Sequence, residues 1–300
     1  MLPIVDTHQH LWNRSQFSLP WLAGEGMDPL PHDFMMSDYL AAGTGAGIAK
    51  TVYMEVDVMP SQRPEEAEFV IGLSKAEDNP MVGAVIGGSP GEQGFRAYID
   101  RFKDNDFIKG VRLVLHVPEA EQGRCLQEAF VCDIQYLGEV GLSFDICIRP
   151  GELADAVGLV DQCPGTLFII DHCGNADPSI VNGSAEHDPA NPFSHTREQW
   201  QHDMATLGAR ENAVCKISGI IARAPTGWNA DALAPTVEHC LDSFGQDRVV
   251  TGGDWPVCNM GASLGEWVSA LREIIAQRPE QDQQKFLAGN AERLYGLAQS

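Results

Sequence analysis

Three short runs in this sequence hold the residue types that do chemistry. The first is Asp6-Thr7-His8-Gln9-His10. Side chains two apart on a strand point the same way, so His8 and His10 would share a face. Two imidazoles held side by side can bind a metal ion or hydrogen-bond one carbonyl oxygen. The second run is Asp171-His172-Cys173-Gly174, and the third is Gly252-Gly253-Asp254-Trp255-Pro256. His172 taken singly is either a satisfied polar residue or a ligand. Asp254 is either the cap of a following helix or a general base. Together the four residues make a set that converges only if one fold brings all three runs to the same place.

The spacing of β-branched runs predicts such a fold. Strands are expected at 4–10, 50–56, 82–87, 110–115, 142–148, 167–172, 213–218 and 248–254. Helical patterns follow at 65–78, 95–102, 123–139, 152–162, 196–209, 230–244 and 264–277. Eight strand–helix alternations imply a parallel sheet long enough to close, an α/β (β/α)8 TIM barrel with its site at the C-terminal strand ends. The rival, an open doubly wound sheet, would carry a phosphate-binding glycine loop after the first strand, and no GxGxxG is there. Strands one and eight are neighbours in a closed barrel, which sets Asp254 beside His8 and His10. Two long connections, 13–31 and 174–194, leave the same face and are expected to wall the site. Residues 1–300 read as one domain, with no internal repeat or linker.

Composition narrows the partners. A net charge of −22 on 300 residues lacks the basic footprint that nucleic acids and acidic membranes need. No apolar run approaches the length of a membrane span, the longest resembling 167–170. The chain starts directly on its first strand without a basic, apolar leader, so a cytoplasmic location is expected. The eight cysteines are scattered singly, with no CxxC pair, and are expected to be reduced and mostly buried. An anionic substrate would have to be met by local cations such as Arg112 or Arg149. Oligomeric state is not legible; a homo-oligomer stays open.

The three runs resemble the amidohydrolase superfamily, through His8-Gln9-His10, His172 and Asp254 at the ends of strands one, six and eight. More closely, the chain is similar to the superfamily's lactonases that act on sugar acids, the L-fuconolactonase and L-rhamnonolactonase type. The shared pattern includes His10-Leu11-Trp12, Pro20-Trp21-Leu22, Lys109-Gly110-Val111-Arg112, Leu142-Ser143-Phe144-Asp145, Asp171-His172-Cys173-Gly174 and Gly253-Asp254-Trp255-Pro256. It runs across essentially the whole chain. Binuclear members carry a bridging lysine on strand four and a histidine on strand five; here those strands offer Arg112 and Asp145. The resemblance therefore implies at most one divalent ion, zinc by preference, held by His8, His10, His172 and Asp254, or no metal at all.

The implied activity is hydrolytic opening of a small lactone, with a sugar-acid lactone as substrate. Asp254 would activate water, while His8, His10 and His172, with or without the ion, polarise the carbonyl. Substrate contacts are expected from Arg112, Trp21, Asp145, His116 and Trp255. Arg112 has an alternative as the ion-pair partner of Asp145 on the next strand. The competing readings are a metal-dependent decarboxylase of the same superfamily, which is expected to add a histidine on strand five, and a non-catalytic sugar-acid-binding barrel.

Overall fold

The computed structural model describes residues 1–24, 27, 29–76 and 79–297. Eight strands lie in sequence order, each parallel to the next: β1 Ile4–Gln9, β2 Ile48–Met54, β3 Met81–Gly87, β4 Ile108–Val114, β5 Ser143–Cys147, β6 Phe168–Ile170, β7 Ala213–Ile217 and β8 Val249–Thr251. The ring closes between β8 and β1. Thr7 Oγ1 donates to Thr251 O (2.8 Å), Asp254 N to His8 O (2.7 Å) and His10 N to Trp255 O (2.8 Å). The expected (β/α)8 barrel is the fold observed.

One main helix follows each strand: α1 Met36–Ala42, α2 Arg63–Ser74, α3 Phe95–Ile99, α4 Glu128–Glu139, α5 Leu153–Gln162, α6 Arg197–Gly208, α7 Ala230–Phe244 and α8 Leu264–Ile275. α8 shows how sequence sets these elements. Ser263 and Glu266 form a reciprocal capping box at its start. Leu264, Trp267, Val268, Leu271 and Ile275 recur at helical spacing and are buried. Trp267 Nε1 donates to Gly252 O (2.9 Å), fastening the helix to the segment that carries Asp254.

The boundaries differ from expectation where the site begins. β6 stops at Ile170 and β8 at Thr251, because His172, Cys173 and Asp254 take positive φ near 50°. That backbone cannot continue a strand. The helix expected from 123 starts only at Glu128, after a 3-10 turn over Arg124–Leu126. The helix expected over 65–78 runs Arg63–Ser74, and 77 and 78 lie outside the described residues.

Inside the ring, Val5, Val52, Val85, Ile169, Val214 and Val250 form one apolar cluster with Tyr295 and Leu297 of the C-terminal segment. Residues from six strands can meet only in the barrel's centre. Two residues past Val214 and Ile169 come Lys216 and Asp171, so a charged layer lies directly above the apolar one. Seven of the cysteines are buried and Cys132 is exposed; none is in a disulfide. Among the described residues, no helix is long and apolar enough to cross a membrane.

Candidate active site

The charged layer is built from pairs that satisfy one another. Lys216, wholly buried, lies 2.5 Å from Asp145 Oδ2 and 2.9 Å from Asp171 Oδ1. Burial alone would strip its proton, but the two carboxylates outweigh that and hold it charged. Arg112 donates from Nε to Glu55 Oε1 (2.6 Å) and from a terminal nitrogen to the Glu55 carbonyl (2.7 Å). Although Arg112 and Asp145 sit opposite one another in the β4–β5 register, they do not pair. The alternative of an Arg112–Asp145 ion pair gives way to two separate pairs, Arg112 with Glu55 and Asp145 with Lys216.

Above this layer His8, His10, His172 and Asp254 converge. His8 Nε2 lies 3.2 Å from His10 Nε2, and Asp254 Oδ1 is 3.5 Å and 3.3 Å from the two. His10 Nδ1 donates to Met54 O (2.9 Å), which turns its Nε2 towards His8 and Asp254. His8 Nδ1 faces Asp171 Oδ1 at 3.6 Å, which orients its Nε2 the same way. Burial pushes His8 well below its ordinary pKa, more than Asp171 restores, so its ring is neutral. The carboxyl of Asp254 would be raised by burial, yet His172, His10 and His8 together lower it, and it stays ionised. His172 Nδ1 pairs with Ser218 Oγ (2.9 Å), and its ring lies 4.6 Å from that of His8.

Three ligand atoms thus lie close together, with Arg112 Nη1 3.4 Å from His8 Nε2. Such a set suits a cation, and two imidazole nitrogens with one carboxylate oxygen suit a borderline divalent ion such as zinc. Among the described residues, His8, His10 and Asp254 are one of three groups whose ligand atoms all lie within 4.8 Å; His8, Asp171 and His172 are another. The residues present fit a single metal ion.

The site forms the base of a cavity of about 480 Å³. His10, Arg112, His172 and Asp254 line it, and so do Trp21 and His116. His116 is held near pKa 3, by burial first and then by Arg223, His172 and Arg112, and is a neutral imidazole. Asp145 and Trp255 do not line it: Asp145 is committed to Lys216 below, and Trp255 packs edge-on against Phe34 and Tyr39. Both long connections contribute walls, 13–31 through Trp21 and Met27, and 174–194 through Asn175, Asp177 and Phe193.

Sequence reasoning passed over Glu55, Asp57, Lys216 and Arg223. Lys216 did leave a signal, a lone charge inside the apolar run Val214-Cys215-Lys216-Ile217, which on a barrel strand must be inward and paired. Arg223 left none, since it ends a short 3-10 turn over Ile220–Arg223 after β7.

An eight-stranded parallel barrel whose strand-end histidines and aspartate gather at the mouth is the architecture of a barrel hydrolase. The chain belongs to the amidohydrolase family: the family model described as "Amidohydrolase" matches residues 5–297. Among curated proteins it is 26% identical to an L-fucono-1,5-lactonase of Burkholderia multivorans, over 98% of this chain and 96% of that one. A second L-fucono-1,5-lactonase, from Burkholderia ambifaria, is 23% identical over 88% and 83%. Among solved structures, an amidohydrolase from Burkholderia multivorans with bound zinc superposes with a TM-score of 0.83 at 20% identity, over 99% of this chain and all of that one. The chain is therefore an enzyme of this family.

Proposed function

We propose that this enzyme hydrolyses the ester ring of a small lactone. The observation that carries the reading is the convergence of His8, His10 and ionised Asp254 at the base of the cavity. The two relatives named L-fucono-1,5-lactonase support it, and make sugar-acid lactones the first class to test.

Asp254 accepts a proton from water as the water oxygen adds to the ring carbonyl carbon. The carbonyl oxygen gains charge in that step, beside His172 and under the field of Arg112. When the ring C–O bond breaks, the same proton passes from Asp254 to the departing alkoxide, leaving one hydroxy acid. A single carboxylate can serve both halves because the leaving group remains tethered. Met54, Asp171 and Ser218 fix the three rings, so no orientation has to be found during the reaction. A divalent ion held by His8, His10 and Asp254, with His172 at hand, would supply Lewis acidity to the carbonyl and acidity to water.

The decarboxylase reading gains nothing from β5, whose inward charged residue is Asp145, bound to Lys216. The test is acid release from a panel of lactones, compared between the protein and Asp254→Asn. Turnover should fall at least about 10²- to 10⁴-fold in the variant, with the circular dichroism spectrum unchanged. Retention of most activity would remove Asp254 from its role.

A further inference from the structure

Behind the mouth, one cluster of metal-binding side chains has no part in the chemistry above. Cys173, Cys215 and Cys240 bring their three Sγ atoms within 4.8 Å of one another, and all three residues are wholly buried. Three separate pieces of chain deliver them. On β7 the side chains of Val214 and Lys216 point into the barrel, so Cys215 between them points out towards the helices. Cys240 comes from α7, on the buried face that also carries Val237 and Leu241. Cys173 follows β6 at a φ of 54°. His172 before it and Asn175 after it line the cavity, and Cys173 does not. Among the described residues, the buried Cys125, Cys147, Cys163 and Cys258 belong to no such group.

The donor set selects its ion. Thiolates prefer soft ions, copper(I) and zinc among them. A structural zinc is almost always four-coordinate, and among the described residues no histidine, cysteine or carboxylate joins the three sulfurs as a fourth ligand. Three sulfurs about 2.3 Å from an ion in their plane lie about 4 Å apart, within the spacing of these Sγ atoms. Copper(I) accepts that three-coordinate arrangement. Charge points the same way. A copper(I) ion that displaces one S–H proton to solvent adds no net charge to a buried place, and the other two sulfurs complete its coordination. A thioether is also near: a Cβ on Gly174, the residue after Cys173, would lie 2.8 Å from Met204 Sδ of α6.

We propose that Cys173, Cys215 and Cys240 bind one copper(I) ion as a structural clamp behind His172. The ion ties α7 to the two segments that position the imidazole. Cys173 is the next residue along, with its carbonyl held by Trp200 Nε1 (2.8 Å). Ser218, which pairs with His172 Nδ1 (2.9 Å), lies three residues beyond Cys215. This site is separate from the group at the mouth, whose nitrogen and oxygen donors suit zinc, and it does not depend on which substrate the cavity takes.

The test loads the chain in two ways, by expression in copper-supplemented medium and by anaerobic incubation with copper(I) acetonitrile, and then challenges it with bicinchoninate. One copper per chain should survive the challenge. X-ray absorption at the copper edge should show sulfur neighbours at about 2.3 Å and no nitrogen. Cys240→Ala should hold copper more than about 100-fold more weakly, beyond what loss of an outer partner costs. Cys132→Ala, which removes the exposed thiol, and Asp254→Asn should hold it as the unaltered chain does. With copper at about a hundredfold over its dissociation constant, the melting temperature should rise on the order of 5 °C, and Cys240→Ala should lack the rise. Copper lost to bicinchoninate in both preparations, a shell containing nitrogen, or full retention in Cys240→Ala overturns the proposal. The absorption measurement needs no substitution, so it decides the question even where Cys240→Ala folds poorly.

Discussion

At the scale of single residues, two buried groups have consequences that can be measured. Lys216 neutralises Asp145 and Asp171 in a fully buried layer, and Asp171 in turn faces His8. Lys216→Met should leave two buried carboxylates facing each other and cost about 3–5 kcal/mol of stability in denaturant titrations. A loss under about 1 kcal/mol would mean that the layer relaxes freely. The second group is Glu66. Burial, and then the charge of Glu55, raise its carboxyl from 4.5 to about 8. Tyr53 and Val56 donate to its Oε1, Arg112 opposes the shift, and Oε2 has no partner. The folded state therefore holds a proton that the unfolded chain releases above about 4.5. This contribution is whole below that value and is lost as pH rises towards about 8. Glu66→Gln should flatten the fall in melting temperature between about pH 5 and pH 8; an unchanged slope would assign the pH dependence elsewhere. At this scale the sequence was legible for His8, His10, His172 and Asp254, since their types and spacing announce chemistry. It was not legible for the pairing of Arg112, because partners across a barrel are set by side-chain reach and not by strand register.

At the scale of elements, the strand ends matter more than the strands. β-branched runs marked all eight strands, but β6 and β8 stop short of the segments that read as strand, where positive φ turns His172 and Asp254 into the mouth. Periodicity cannot report such turns. Gly219, just past β7, shows how closely they are packed. Its φ is +68°, and a Cβ there would lie 2.3 Å from His172 Nδ1. Gly219→Ala meets both an unfavourable backbone, about 1–2 kcal/mol, and a direct clash with the imidazole. It should displace His172, lower kcat by roughly tenfold or more and reduce the melting temperature together. Full activity in a folded Gly219→Ala protein would show that His172 need not be held where Ser218 now holds it.

At the scale of the whole molecule, the alternation of eight strand and helix patterns made the barrel legible, because only closure pairs β8 with β1. The loops were legible as walls but not in their chemistry, since which residues of 13–31 and 174–194 reach the cavity depends on irregular backbone. The closed ring also makes the site a property of the entire chain: His8 and Asp254 lie 246 positions apart and meet only when every strand between is paired. A divalent ion that binds this meeting point binds the folded state and not the unfolded one. Zinc at about a hundredfold over its dissociation constant should therefore stabilise the fold by roughly 2.7 kcal/mol, a rise in melting temperature on the order of 5 °C for a chain of this size. Chelator should reverse the rise. His10→Gln and Asp254→Asn, each lacking one of the converging acceptors, should abolish it. Because the melt follows unfolding and not turnover, it tests the site independently of any substrate. A shift that survives both substitutions would place the ion elsewhere in the chain, and no shift in the unaltered protein would mean that these three groups hold no zinc.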